Sequence, residues 1–86
     1  MIEVVFKPSF IKEVRRLEQE LQSEVLEKIA LFKDRKNHHL LKVHKLHGQL
    51  KGRWSFSVNY KIRIVFVYAE KNEVALLIIG DHNIYN

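Results

Sequence analysis

Cysteine is absent from this 86-residue sequence. That excludes a disulfide scaffold, a thiolate zinc site and a cysteine nucleophile, and it suits a reducing cytosol. Long apolar runs are missing as well. None approaches the roughly 20 residues of a membrane helix, so no membrane partner is expected. The opening MIEVVFKPSF has no basic region followed by an apolar core, so no signal peptide is expected either. Proline occurs once and glycine three times, and none of them falls between residues 10 and 34. The most informative gap is in negative charge. From Arg35 to Ala69 there is no Asp and no Glu, yet eight Lys or Arg and four of the five His lie there. The net charge of +5 is therefore concentrated in one block. Such a block suits a polyanionic partner, nucleic acid first. The competing explanation is a solvated basic surface with no ligand.

What is present is an ordinary globular composition, 47% hydrophobic and 29% charged, of a length that supports one domain over residues 1–86. Residues 2–6, IEVVF, read as a β-branched strand that Pro8 stops. Ser9 is the expected N-cap of a helix over about residues 10–20, where Phe10, Val14, Leu17 and Leu21 recur at helical spacing. Ser23 is expected to cap a second helix carrying Val25, Leu26, Ile29 and Phe32. One continuous helix over 10–34 is the alternative, but a helical hairpin buries both stripes better in a small domain. Residues 35–49 lack a period and predict a loop with a short turn or strand. Trp54, Phe56 and Val58 alternate with polar residues as in a strand. Asn59-Tyr60 can turn the chain. Ile62, Ile64, Phe66 and Tyr68 define the next strand, and residues 74–79 are apolar throughout.

The order β-α-α-β-β-β predicts an α+β domain, with the helical hairpin on one face of an antiparallel-rich sheet. Strand parity then predicts the other face. If Trp54, Phe56, Ile62, Ile64 and Phe66 point to the helices, Arg53, Ser55, Ser57, Lys61 and Arg63 point away. That face should be polar, cationic and partly open.

Four features carry a resemblance: the element order, the segment L-x-G-x-x-x-G-x-W (Leu46, Gly48, Gly52, Trp54), the strand residues Arg63 to Phe66, and the terminal G-D-H-N-I-Y. Together they resemble the RelE/ParE superfamily, toxins of bacterial toxin–antitoxin modules. The resemblance spans essentially the whole chain. It implies a ribosome-dependent endoribonuclease that cuts mRNA with no metal or small-molecule cofactor, the ribose 2′-OH attacking the adjacent phosphate. That chemistry needs a base for the 2′-OH, cations for the developing charge and an acid for the leaving oxygen. It also implies two partners, a cognate antitoxin and the mRNA-programmed ribosome.

Residue by residue, the resemblance makes His44 the candidate base, with His47 as its substitute. Imidazole suits that role because its charge changes near neutral pH. Arg63 matches the arginine that holds the scissile phosphate, with Lys61 assisting from the same face. Lys42, Lys45, Lys51 and Arg53 are the expected grips on the RNA or rRNA backbone. His82 matches the general acid and Tyr85 the C-terminal aromatic, with Asp81 available to orient His82. Two departures stand out. The aromatic follows the histidine by three residues where related tails often use four, and Ser-Phe-Ser-Val follows Trp54 where several active relatives have basic residues.

Other constellations are weaker. His38, His39, His44 and His47 have only Asp34 as a nearby carboxylate, a poor metal set. Ser55 or Ser57 with His82 and Asp81 lacks the glycines of a nucleophile elbow. Two further functions fit the same fold: a ParE-like poison of DNA gyrase, and a relative that binds its antitoxin without acting.

Overall fold

The computed structural model describes residues 1–85. The first strand, β1 (Glu3–Phe6), leads through Lys7 into α1 (Pro8–Arg15). Pro8 starts this helix rather than merely ending the strand. Its fixed φ and missing N–H suit the first helical position, so Lys7 is the N-cap and Ser9 lies inside the first turn. The expected cap at Ser9 is therefore corrected.

The break between helices is present as expected, but its position differs. α2 spans Gln19–Phe32 with Glu18 extended at its N-cap, so Ser23 lies within the helix instead of starting it. No glycine or proline makes this break. Arg16 and Leu17 close α1 with tightened backbone bonds to Glu13 and Val14. The Gln22 side-chain amide then donates to the Leu17 carbonyl at 2.8 Å. The same amide donates to the Arg15 carbonyl at 3.3 Å, so one α2 side chain satisfies an orphan carbonyl at the end of α1 and stabilises the corner.

Four more strands follow: β2 (His44–Lys45), β3 (Trp54–Ser57), β4 (Arg63–Glu70) and β5 (Glu73–Gly80). The segment read as loop holds β2 between two 3-10 turns, Arg35–Asn37 and Gly48–Leu50. The sheet order is β1-β5-β4-β3-β2, with β1 parallel to β5 and every other pair antiparallel. The α+β expectation holds, with one short strand added.

Between the helices and the sheet lies a core centred on Phe32. Its ring stacks on Phe56 at 4.5 Å and on His38 at 4.7 Å, and meets Phe66 edge-on at 4.8 Å. Such geometries add attraction beyond area burial. Parity holds for Phe56, Ile64 and Phe66, which are fully buried on this side.

Parity also places Ser57 and Arg63 on the opposite face, but that face is more covered than parity alone predicts. Ser55 and its register partner Val65 are both fully buried. The C-terminal 3-10 turn, His82–Tyr85, folds back there. Ile84 packs on Gly80, where any Cβ would collide with it, and Tyr85 reaches Ser55.

Candidate functional site

Arg63 opens β4 at the edge of the returning C-terminal turn. Its guanidinium is held from two sides. Nη1 donates to the Asn59 carbonyl at 2.7 Å and to the Ile62 carbonyl at 3.3 Å. Nη2 points at Nε2 of His82, 3.5 Å away. Because guanidinium can only donate, His82 accepts through Nε2 in this arrangement. Protonation of His82 would set two cations face to face, and an anion between them would relieve that repulsion.

The other residues of the turn fix the pair in place. His82 and Tyr85 are three apart on a 3-10 turn, where such side chains eclipse. Their rings meet edge-to-face at 5.9 Å. The Tyr85 hydroxyl shares a 2.6 Å hydrogen bond with Ser55 Oγ, clamping the turn to the centre of β3. Asp81 does not orient His82. Its carboxylate accepts from the Asn83 backbone N–H at 2.9 Å, because the tight turn directs it along the chain instead.

The Ser55–Tyr85 clamp has a testable energetic signature. Tyr85→Phe leaves the buried Ser55 hydroxyl without its partner and should cost about 1–3 kcal/mol. Ser55→Ala frees only a half-buried phenol and should cost less. The double variant should recover most of the Tyr85→Phe loss, since both polar groups are then gone. Urea unfolding of the three variants measures this.

His44 lies on the same sheet face as Ser55, its partner in register. It sits two strands from Arg63 and one side-chain repeat along, roughly 12 Å between Cα atoms by strand geometry. It is exposed and does not touch the pair. Its Nδ1–H donates to the Lys42 carbonyl at 2.8 Å, which leaves the Nε2 lone pair free to take a proton. Lys42 adopts φ 58, the left-handed region that costs a non-glycine residue about 1–2 kcal/mol. That backbone turn aims the carbonyl that fixes the imidazole. His47 is exposed at the start of the Gly48–Leu50 turn, with no side-chain cap.

The proposed backbone grips divide. Lys42, Lys51 and Lys61 are exposed, and Arg53 is half-buried. Lys45 lies with Trp54 on the helix-bearing face, its Nζ 5.5 Å from the indole centroid, so its charge points away from Arg63. Adjacent strand residues face opposite ways, so His44 and Lys45 lie on different faces of the sheet. Among the described residues the ion pairs are Arg16–Glu13 and Lys36–Asp34. Neither neutralises Arg63 or the neighbouring lysines. Among the same residues no three of His, Asp and Glu gather as metal ligands. His38 instead stacks on Phe32, its Nε2 2.8 Å from the Phe32 carbonyl.

The sequence matches no family model and no curated protein. Solved structures do match it. The toxin–antitoxin complex RelBE2 from Mycobacterium tuberculosis aligns with a TM-score of 0.74 and 20% identity, covering 94% of this chain and 98% of that one. This chain has the fold of the RelE/ParE toxins. The YoeB–YefM complex from Staphylococcus aureus aligns at a TM-score of 0.71 with 16% identity, covering 95% and 98% of the two chains. The archaeal RelE–RelB complex from Pyrococcus horikoshii gives 0.69 and 16%, with 93% of each chain covered. At these identities the RelE-type likeness establishes the path of the chain. Chemistry must be argued from the side chains on it.

Three residues around Arg63 and His82 escaped sequence reasoning in their present roles. Ser55 anchors Tyr85. Asn59 holds Arg63 through its carbonyl, and Glu24 of α2 accepts from the Asn59 amide at 2.7 Å. The available signal was the Asn in a turn, since its side chain commonly bonds the backbone two residues on.

Proposed function

We propose that this chain is the toxin of a toxin–antitoxin pair and that it cuts mRNA on the ribosome by 2′-OH attack on the neighbouring phosphate. The observation that carries the reading is the meeting of Arg63 and His82, with 3.5 Å between guanidinium and imidazole nitrogens. Support comes also from the RelE-type fold and from neighbours that are themselves toxins in complex with antitoxins.

In the proposed reaction Nε2 of His44 takes the proton from the 2′-OH. The 2′-oxygen bonds to phosphorus as the bond to the 5′-oxygen breaks. Arg63 donates to the non-bridging oxygens, whose charge grows in the transition state. His82, protonated as the phosphate enters, gives its proton to the leaving 5′-oxygen. The products are a 2′,3′-cyclic phosphate and a 5′-hydroxyl. Tyr85, held by Ser55, keeps the turn carrying His82 in place and offers a ring edge beside it. Lys42, Lys51, Arg53 and Lys61 attract the RNA backbone in an acid-free segment. A cognate antitoxin would silence the site, and the protein would work in the cytosol.

Inducible expression of the wild type and His82→Ala, scored by growth and by mapping mRNA 5′ ends, tests this. Growth arrest with new mRNA ends is expected from the wild type, and loss of both from His82→Ala. Arrest with intact mRNA and gyrase-linked DNA breaks would indicate a gyrase poison instead. Harmless accumulation of folded wild type would indicate a relative that only binds its antitoxin.

A further inference from the structure

Tyr60 is 95% exposed, the most exposed large apolar side chain among the described residues. Scattered exposed apolar residues are normal and by themselves mean nothing. Tyr60 differs in how it is held. Asn59 Oδ1 accepts the backbone N–H groups of Lys61 and Ile62, both at 2.8 Å. The Ile62 carbonyl accepts from Val58 and Asn59 at 2.9 and 3.4 Å. The Asn59 amide is tied to Glu24 of α2. The turn is therefore closed by hydrogen bonds on both sides of Tyr60, and its ring is kept in water without collapsing onto the surface. Through the Asn59 carbonyl, the same turn aims Arg63.

Tyr60 lines an open cleft together with Arg63 and Lys42 and, from α2, Glu24, Glu27 and Lys28. Leu40, 70% exposed, also lines it. The cleft thus brings the Arg63 side chain together with two exposed apolar side chains, Tyr60 and Leu40. Its polarity is graded. A phosphate is favoured beside Arg63 and Lys42 and disfavoured beside the net-negative α2 residues. What fits between is flat, uncharged and apolar on its faces, covalently next to a phosphate.

We propose that Tyr60 and Leu40 frame a base-stacking subsite for the nucleotide adjoining the phosphate held by Arg63, on single-stranded RNA. The subsite rests on the RNA reading above and adds to it where the strand runs. Stacking on an aromatic tolerates any base, so Tyr60 adds affinity and register more than sequence choice. The hydrogen-bonded turn lowers the ordering cost of binding, since the backbone that carries the ring is already fixed.

The test uses the intact protein and a short fluorescent single-stranded RNA, with affinity read by anisotropy. Tyr60→Ala should weaken binding by about ten- to a hundred-fold, while Tyr60→Phe stays near the wild type. The salt dependence should be unchanged in Tyr60→Ala and shallower in Lys42→Ala, which removes a phosphate contact. A 2-aminopurine base in the bound strand should be quenched by the wild type and released in Tyr60→Ala, a signature that general unfolding of a surface variant does not mimic when the thermal melt is unchanged. Equal binding by Tyr60→Ala and wild type overturns the subsite, as does absence of RNA binding by the wild type. Loss of affinity for an antitoxin, with RNA binding intact, overturns it in favour of a protein contact. Tyr60-dependent binding without any mRNA cleavage supports the subsite and removes the nuclease reading.

Discussion

Arg63→Ala should lower the rate of mRNA cleavage on programmed ribosomes by about a hundred- to a thousand-fold, the usual loss when one donor to a transition-state oxyanion is removed. The size follows from geometry. Nη2 faces Nε2 of His82 while Nη1 is anchored on the Asn59 and Ile62 carbonyls, so the charge is delivered to one point with little freedom to relax. Arg63→Lys should recover little of the loss. An ammonium is a single point charge and cannot hold the two carbonyls while also facing the phosphate. Single-turnover cleavage, with circular dichroism confirming that both variants fold, gives the measurement. Full activity in Arg63→Ala would remove Arg63 from the reaction.

Phe32→Ala should destabilise the fold by about 3–5 kcal/mol, the range for emptying an aromatic core position. Chains of this length hold only about 4–13 kcal/mol in total, taking the usual 0.05–0.15 kcal/mol per residue. Phe32 is fully buried at the end of α2, and its ring touches Phe56, Phe66 and His38 together. Removing it opens the contact through which α2, β3, β4 and the segment after α2 share one core. Urea unfolding should show a large fall in midpoint, approaching loss of the folded state at room temperature. A fall below about 1 kcal/mol would mean that the helices collapse into the gap and that the core is not organised around this ring.

Much of this architecture is legible from periodicity. The alternation of Phe56, Ile64 and Phe66 gave the core face of the sheet because period-2 patterns are local and survive packing. The two apolar stripes made a helix break legible, but not its position. It depends on Gln22 reaching back to Leu17, a contact that no propensity reports. The burial of Ser55 was hidden for a different reason. It is polar, sits opposite the core face, and becomes buried only because a turn some 30 residues later returns over it. The face that Lys45 takes was not legible, because β2 is two residues long, too short for alternation to reveal its register. The grouping of Arg63 with His82 came from a resemblance and not from spacing. Their meeting is fixed by β4 and β5 lying antiparallel, with Arg63 registered against Gly80, two residues before His82.

Ribosomes programmed with an mRNA carrying a single 2′-deoxynucleotide at the mapped cut, compared with the all-ribose message, offer the sharpest single measurement. Cleavage of the all-ribose message to a 5′-hydroxyl end, and no cut at that position in the deoxy message, is the outcome expected if His44, Arg63 and His82 drive attack by the 2′-OH. Equal cleavage of both messages, or 5′-phosphate ends, would contradict it.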